Sequence, residues 1–232
     1  MPGAPRYPTL LFDLDHTLLD SDESERQAYA HTMATIGLAD PDEHFARYVD
    51  INRAMWRAVE AGEIEPAQVR HRRFERFIAE LGLDADAGEM ADAFVWGLAH
   101  HGDLYDGALD LLEALAERHT LAIITNGLTS VQSTRIERLG IGEYFAAVTI
   151  SETVGMTKPR PGIFDATFAA LGEPDRAGAL MIGDSLTSDI AGGRNAGIDT
   201  CWYNPHAKPL TDGATVTHEV ATLGEIRSIV SG

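Results

Sequence analysis

The sequence predicts an α/β fold, with a parallel sheet covered by helices and an all-helical segment inserted after the first strand. One observation is a series of short apolar runs that alternate with helical patterns, as in proteins with parallel sheets. The other is a stretch, residues 20–100, that has amphipathic periodicity but no convincing strand. The apolar runs lie at residues 10–12, 121–124, 147–150, 180–182 and 200–203.

Helix start and stop signals lie between and after these runs. Leucine spacing over residues 111–115 predicts one helix. Pro161 suits the first turn of a second helix, and Gly172 suits its end. Thr222 and Glu225 have the spacing of a capping box, which predicts the start of a last helix. These helices are expected to cover the two faces of the sheet.

Residues 20–100 form the predicted helical insert. Asp20, followed three residues later by Glu23, can cap its first helix, and Gly62 and Gly82 are placed to end two others. Apolar side chains recur there at roughly helical spacing, at Phe45, Val49, Met55, Trp56, Val59, Phe74, Phe77, Ile78 and Leu81. We therefore expect residues 1–18 and 103–232 to form an α/β core and residues 19–102 to form a separate helical unit.

Composition narrows the classes of function. The chain has 232 residues and a formal net charge of −18, which argues against binding to nucleic acid or to an anionic membrane. Cys201 is the single cysteine, so no intrachain disulfide is possible, as fits a reducing compartment. We see no signal peptide and no run long enough to span a bilayer. The expectation is a cytoplasmic enzyme, monomeric or homodimeric.

Polar elements follow the predicted strands, at the edge where open α/β sheets bind ligands. The first is Asp13 with Asp15, because two carboxylates after a buried strand suit a bound Mg²⁺ and a nucleophile for phosphoryl transfer. The second is Thr125-Asn126-Gly127, whose hydroxyl and turn amides can hold phosphate oxygens. An ordinary Asn-Gly turn would also explain the tripeptide taken alone.

Two further elements complete the set. Lys158 is one of only two lysines, with Lys208, in a chain whose other cationic side chains are arginines, and this rarity favours a function over a solvated loop position. Asp184 follows the run at 180–182, with Asp189 five residues later. A capped helix with Asp in its first turn is the alternative explanation of these two carboxylates.

The combination resembles the haloacid dehalogenase-like (HAD) superfamily of phosphohydrolases. The residues that carry the resemblance are Asp13-Leu14-Asp15-His16-Thr17, Thr125-Asn126-Gly127, Lys158-Pro159-Arg160-Pro161 and Gly183-Asp184-Ser185 through Asp189. The resemblance implies a Rossmann-like sheet in the order 5-4-1-2-3, with the helical insert as a mobile cap. It also implies a phosphatase, since the dehalogenase branch does not keep an Asp at the position of Asp15.

The resemblance implies a chemical role for the acidic residues. Asp13 is expected to attack phosphorus and become an aspartyl phosphate. Asp15 is expected to protonate the leaving oxygen and then to accept a proton from the hydrolytic water. Mg²⁺ is expected to be held by the Asp13 and Asp184 carboxylates and by the Asp15 backbone carbonyl.

Phosphate binding is implied for the remaining site residues. Thr125, Lys158 and the backbone of Asn126 are expected to bind the transferring phosphoryl group. Asp189 is expected to orient Lys158 from behind.

A narrower resemblance is to pyrimidine 5′-nucleotidases that act on non-standard nucleotides. It depends on His16, on Thr125-Asn126-Gly127-Leu128 leading into Gln132 and Arg135, on Ile150-Ser151-Glu152 through Val154-Gly155, and on Cys201-Trp202-Tyr203-Asn204-Pro205. It implies a small phosphomonoester substrate, most specifically a pyrimidine nucleoside 5′-monophosphate. The alternatives are a phosphoglycolate or sugar-phosphate phosphatase, a phosphomutase, and a non-catalytic binding protein.

Several side chains in the insert are interpreted as structural. The basic run at residues 70–73 is interpreted as a solvated helix face. Trp56 and Trp96 lie at helical spacing and are interpreted as core side chains, although either could stack on a base. Cys201 is interpreted as a small buried hydrophobe and not as a nucleophile.

Overall fold

A parallel six-stranded sheet organises the computed structural model, which describes residues 5–38, 40, 42–211 and 213–230. The strands are β1 Thr9–Phe12, β2 Thr120–Thr125, β3 Phe145–Ile150, β4 Ala179–Gly183, β5 Asp199–Tyr203 and β6 His218–Val220. Their order across the sheet is β3-β2-β1-β4-β5-β6. The predicted α/β class is confirmed, and so is the order 5-4-1-2-3 of the five predicted strands.

The sixth strand was not predicted. It pairs in parallel with β5 at the edge of the sheet, where Cys201 lies opposite His218. The strand has three residues and begins His-Glu, so it has neither the length nor the apolar character from which a strand is inferred in sequence.

Ten α-helices surround the sheet in the described ranges. They are α1 Ser21–Thr35, α2 Phe45–Ala61, α3 Pro66–Leu81, α4 Ala87–His100, α5 Ala108–Ala116, α6 Thr129–Arg138, α7 Ser151–Val154, α8 Pro161–Ala170, α9 Ala191–Asn195 and α10 Leu223–Val230. A π-helical turn, Leu186–Ile190, precedes α9. None of the described helices is long and apolar enough to cross a membrane.

The sheet has an apolar layer on each face, as a doubly covered parallel sheet requires. β1 is buried along its whole length, with Leu10 and Phe12 in one layer and Leu11 in the other. Cys201 is fully buried in the first layer, as predicted. A strand buried on both faces is rigid, so the residues that follow β1 are fixed in position.

Helices α1 to α4 form the insert and bury an apolar cluster of their own. Asp20 caps α1 by accepting a hydrogen bond from the Glu23 amide at 3.1 Å, and Gly62 and Gly82 end α2 and α3 in the left-handed conformation, all as predicted. The cluster is rich in aromatic rings, including Tyr29, Tyr48, Phe74, Phe77 and Phe94. The division of the chain at residues 18/19 and 102/103 stays a prediction.

The interpretation of Trp96 as a core residue is wrong. Its side chain is 47% exposed and stacks on His100, with ring centroids 4.4 Å apart. Phe94, two positions earlier in α4, is fully buried. Two positions on a helix differ by about 200° around its axis, so Trp96 points away from the cluster that contains Phe94.

Candidate active site

The predicted site residues meet at the carboxyl ends of three adjacent strands. Asp13 follows β1, Thr125 ends β2, and Asp184 follows β4. β1 pairs with both β2 and β4, so these positions share one edge of the sheet. The Asp13 backbone amide donates to the carbonyl of Ile182 in β4 at 2.9 Å, which extends the strand pairing up to the site.

Lys158 lies at the centre of this edge and is 1% exposed. Its Nζ donates to Asp13 Oδ1 at 2.5 Å, to Asp189 Oδ1 at 2.7 Å and to the Ile124 carbonyl at 2.8 Å. Burial opposes the charge, but Asp13 and Asp189 outweigh burial and raise the pKa of Lys158. The ammonium is therefore charged, and all three of its N–H donors are engaged.

Asp189 is positioned behind Lys158, where the sequence predicted it. It is 1% exposed, and its Oδ2 accepts a hydrogen bond from the Ser185 amide at 3.0 Å. A Cβ atom on Gly183 would lie 2.2 Å from that Oδ2. Glycine is therefore required at the end of β4 for steric reasons and not for a special backbone angle.

The acidic cluster has the composition of a site for a hard divalent cation. Asp13, Asp184 and Asp189 each offer a carboxylate oxygen, and these oxygens lie within 4.8 Å of one another. Burial raises the pKa of Asp184 to about 6, with a further contribution from the charge of Asp189. Burial also raises the pKa of Asp13, opposed by Lys158. One ammonium does not neutralise three carboxylates, and this excess of charge fits Mg²⁺.

Asp15 is held by three donors from outside its own loop. Its Oδ1 accepts from Arg135 Nη1 at 2.8 Å and from Ser21 Oγ at 2.7 Å, and its Oδ2 accepts from Gln132 Nε2 at 2.6 Å. Burial alone would raise the pKa of Asp15, but the Arg135 charge and the donated hydrogen bonds lower it overall. In this arrangement Asp15 is an ionised carboxylate.

Thr125 and Asn126 have different local partners. Thr125 is fully buried, and its hydroxyl oxygen accepts from Gln132 Nε2 at 2.8 Å. The Asn126 side chain accepts from the Lys158 amide at 2.9 Å and donates to the Lys158 carbonyl at 3.0 Å. Asn126 thus ties the Lys158 loop to the end of β2, so that its side chain supports the site.

A cavity of about 410 Å³ lies between these residues and the helical insert, which forms its opposite wall. Glu25, Asn52, Trp56 and Arg73 are among its lining residues on the insert side. Thr187, in the loop after Asp184, donates to Glu60 of α2 at 3.1 Å across the opening. The cavity is therefore shared between the sheet edge and the insert.

Arg73 and Trp56 lie in environments that differ from the predicted ones. Arg73 is not on a solvated face: it is 2% exposed, its guanidinium lies 4.3 Å from the Phe94 ring centroid, and it donates to Asn52 at 3.3 Å. Of the other three side chains of the basic run, His71 and Arg72 are exposed as predicted, whereas Arg70 is half-buried and also lines the cavity. Trp56 is half-buried at the cavity wall and not in the core. Helical periodicity cannot separate a core position from a cavity wall.

Sequence reasoning gave no role to Gln132, Arg135 and Ser21, which bind the Asp15 side chain. Gln132 and Arg135 are one turn apart on α6 and are 1% and 3% exposed. The only local signal in the sequence was their i, i+3 spacing, which places both side chains on one face of the helix.

The backbone conformation of His16 is unusual for a residue other than glycine. Its φ is 59°, in the left-handed region that favours glycine. Glycine would adopt this conformation without a steric cost, so a non-glycine residue is unusual here.

Comparison with known proteins gives one family. The model of the haloacid dehalogenase-like hydrolase family matches residues 10–203. The chain is 40% identical to the pyrimidine 5′-nucleotidase PynA of Streptococcus pneumoniae, over 92% of this chain and 91% of that protein. It is 34% identical to the pyrimidine 5′-nucleotidase YjjG of Escherichia coli, over 97% of this chain and 98% of that protein.

Solved structures agree with the sequence comparison. The HAD-hydrolase YfnB of Bacillus subtilis superposes with a TM-score of 0.90 at 35% identity, covering 97% of this chain and 98% of that chain. The YfnB crystal structure is bound to magnesium and reveals interdomain movement.

Proposed function

Because this chain belongs to the haloacid dehalogenase-like hydrolases, we propose that its reaction is the hydrolysis of pyrimidine nucleoside 5′-monophosphates. It is a phosphoric monoester hydrolase of the HAD phosphatase type. The observation that carries the proposal is the buried Asp13–Lys158–Asp189 cluster, which lines a cavity shared with the insert. The two nucleotidase relatives support the choice of substrate.

Asp13 is proposed as the nucleophile. One of its carboxylate oxygens attacks phosphorus in line, the bond from phosphorus to the nucleoside 5′-oxygen breaks, and an aspartyl phosphate forms. Asp15 gives the leaving oxygen its proton. Water then attacks the aspartyl phosphate at phosphorus, Asp15 accepts the proton of that water, and inorganic phosphate leaves. The enzyme returns to its starting state.

The phosphoryl group is proposed to bind at Thr125, at Lys158 and at the Asn126 backbone. Lys158 already donates three hydrogen bonds, so a phosphate oxygen must replace one of its present acceptors. Mg²⁺ fits the Asp13 and Asp184 carboxylates and the Asp15 backbone carbonyl, and when bound it would neutralise charge on the phosphoryl oxygens. Asp189 keeps the ammonium of Lys158 directed at the site.

The charge of Asp15 in the present arrangement suits the second half of the reaction. An ionised carboxylate can accept the proton of water, whereas the first half requires a protonated carboxyl. A phosphate dianion bound beside Asp15 would raise its pKa, since like charges disfavour ionisation. Substrate binding thus favours the protonated form when the leaving oxygen needs a proton.

The test is a comparison of kcat/KM for deoxyuridylate, thymidylate, deoxyguanylate, phosphoglycolate and glucose 6-phosphate in Mg²⁺ buffer, with release of free phosphate as the readout. We expect the two pyrimidine nucleotides to give the highest values. The methyl group by which their bases differ should change kcat/KM by no more than about 10–200-fold, which is about 1–3 kcal/mol in such a pocket. A tenfold preference for phosphoglycolate or the hexose phosphate would refute the substrate assignment. EDTA should abolish activity, and Mg²⁺ should restore it.

Assembly and location complete the proposal. We propose a cytoplasmic monomer or homodimer, in keeping with the single buried cysteine and the acidic composition. Light scattering coupled to size-exclusion chromatography measures the assembly directly, and a trimer or larger species would refute it.

A further inference from the structure

Arg135 connects the catalytic loop to the helical insert through four hydrogen bonds. Its Nη1 donates to Asp15 Oδ1 at 2.8 Å and to Gln132 Oε1 at 3.2 Å. Its Nε donates to the Leu98 carbonyl in α4 at 2.7 Å, and its Nη2 donates to Ser24 Oγ in α1 at 2.8 Å. One rigid guanidinium therefore holds Asp15 and two helices of the insert in a fixed relation.

Gln132 fixes a second pair of groups. Its Nε2 donates both to Asp15 Oδ2 at 2.6 Å and to Thr125 Oγ1 at 2.8 Å, which uses both amide hydrogens. Its Oε1 accepts from Arg135, so reversing the amide would place Oε1 against the Asp15 carboxylate and the amide N–H groups against the Arg135 guanidinium. Gly127 leaves the space for this arrangement, since a Cβ there would lie 3.0 Å from Gln132 Nε2.

These contacts decide which atoms of Asp15 and Thr125 remain available. Asp15 Oδ1 accepts two hydrogen bonds, from Arg135 and Ser21, whereas Oδ2 accepts one, from Gln132. A carboxylate oxygen has two lone pairs, so the free one is on Oδ2. Thr125 Oγ1 accepts from Gln132, which leaves the hydroxyl hydrogen of Thr125 free to be donated to a phosphate oxygen.

We propose that Gln132 and Arg135 are positioning residues that present Asp15 Oδ2 to the leaving oxygen and the Thr125 hydroxyl to the phosphoryl group. Through Leu98 and Ser24, Arg135 makes this presentation depend on the position of the insert. The inference rests on the proposed function, because it takes Asp15 to be the proton donor in that reaction.

The same helix provides a matched control. Arg138, one turn after Arg135, donates to the carbonyls of His101 and Gly102 and pairs with Asp103, at the point where the insert returns to the sheet. It has no contact with Asp15 among the described residues. Arg138→Met therefore removes an arginine that anchors the insert and leaves the Asp15 contacts in place.

The test compares two substrates that differ in their need for a proton. Deoxyuridylate has a basic leaving oxygen that must be protonated, whereas the p-nitrophenolate of p-nitrophenyl phosphate leaves without a proton. Because kcat/KM covers only the steps up to loss of the leaving group, it isolates the proton-donor role of Asp15. The variants are Arg135→Met, Gln132→Leu, Arg138→Met and Asp15→Asn, with Arg135→Met also made in the Asp15→Asn background.

We expect Arg135→Met to lower kcat/KM for deoxyuridylate by at least about tenfold more than for p-nitrophenyl phosphate, within the roughly 10²–10⁴-fold range of a proton donor. Arg138→Met should change kcat/KM by the same factor for both substrates. In the Asp15→Asn background, Arg135→Met should lower kcat/KM for deoxyuridylate by less than about threefold. The effects of substitutions at residues that act as a unit are not additive. If Arg135→Met does not fold, Gln132→Leu carries the same comparison without leaving a buried charge unpaired.

Failure of the positioning role and failure of the proton-donor role give different results. Equal losses for both substrates in Arg135→Met and Gln132→Leu, while Asp15→Asn discriminates between them, would overturn the positioning role alone. A full additional loss for Arg135→Met in the Asp15→Asn background would overturn it as well. If Asp15→Asn hydrolyses deoxyuridylate as fast as the wild type does, the assignment of Asp15 as proton donor in the proposed function is refuted.

Discussion

Replacing Lys158 by Met is the change that tests the buried charge cluster most severely. The ammonium lies 2.5 Å from an Asp13 oxygen and 2.7 Å from an Asp189 oxygen, and its side chain is 1% exposed. Methionine is similar in length and apolar, so it removes the charge and leaves the volume nearly unchanged. Asp13 and Asp189 then stay buried without their cation.

The expected cost follows from this geometry. Removing one partner of a buried ion pair costs about 3–5 kcal/mol, because the remaining charge is left uncompensated. Solvent screening does not reduce the figure here, since the Asp13 and Asp189 side chains are 8% and 1% exposed. For a chain of this length, each kcal/mol shifts the thermal midpoint by roughly 2–4 °C. The variant should therefore melt about 6–20 °C below wild type.

The assay is thermal unfolding in EDTA at pH 5 and pH 8, with Lys208→Met as the control because it removes the other lysine, which is exposed. The pKa of Asp184 is already raised to about 6 in the folded chain. A carboxyl with a raised folded pKa binds more protons when folded, so its contribution to stability falls as pH rises from about 4 towards 6 and above. Burial also raises the folded pKa of Asp13, and Lys158 is the main charge that opposes this rise. Losing Lys158 raises the pKa of Asp13 further, so the stability of the variant falls more as pH rises and its deficit should be larger at pH 8.

Two results would refute the reasoning. A thermal midpoint for Lys158→Met within 2 °C of the Lys208→Met control would mean that the cluster is not held by this ammonium. A deficit that is larger at pH 5 than at pH 8 would contradict the sign of the linkage. Addition of Mg²⁺ at pH 8 should recover part of the lost stability, because a divalent cation replaces the missing charge.

Three further changes have defined outcomes. Asp13→Asn should keep the circular dichroism spectrum and lose more than about 99% of turnover, since an amide cannot attack phosphorus; higher residual activity would reject Asp13 as nucleophile. Gly183→Ala should displace Asp189, cost roughly 1–3 kcal/mol and impair turnover, whereas Gly224→Ala, whose Cβ would lie 4.0 Å from its nearest neighbour, Thr222 Oγ1, should have none of these effects. Burial raises the pKa of the Cys201 thiol to about 12, so a disulfide reagent at pH 8 should label it only after unfolding, and rapid labelling of native protein would contradict its burial.

The sheet and its candidate site edge were predictable because local signals and tertiary structure agree there. Asp13, Thr125 and Asp184 each follow an apolar run, and parallel pairing of β1 with β2 and β4 must bring the ends of those runs together. Lys158 was identified by its rarity in the chain. Strand β6 was not predicted because its pairing with β5 depends on tertiary context and not on its own three residues.

The insert side of the cavity was less predictable for a physical reason. Hydrophobic periodicity separates two faces of a helix, one towards the core and one towards solvent. A helix that lines a cavity has a third face, which the periodicity does not identify. Trp56 and Arg73 both lie on or next to such a face, and hydrophobic spacing assigned one to the core and the other to water. Their environment is set by how four helices pack, which no single helix encodes.

The contacts of Asp15 were not predictable from spacing along the chain. Gln132 and Arg135 are separated from it by 117 and 120 positions, and they reach it because α6 packs against α4 of the insert. Their i, i+3 spacing on α6 places them on one face, and this was the only local part of the signal.

Borohydride trapping tests directly whether Asp13 forms a covalent bond to phosphorus. Wild-type protein turning over deoxyuridylate with Mg²⁺ is quenched with sodium borohydride, which reduces an acyl phosphate to the alcohol, and peptides are mapped by mass spectrometry. We predict conversion of Asp13 to homoserine, dependent on substrate and absent from Asp13→Asn. Conversion at another carboxylate, or none during rapid phosphate release, would contradict the account.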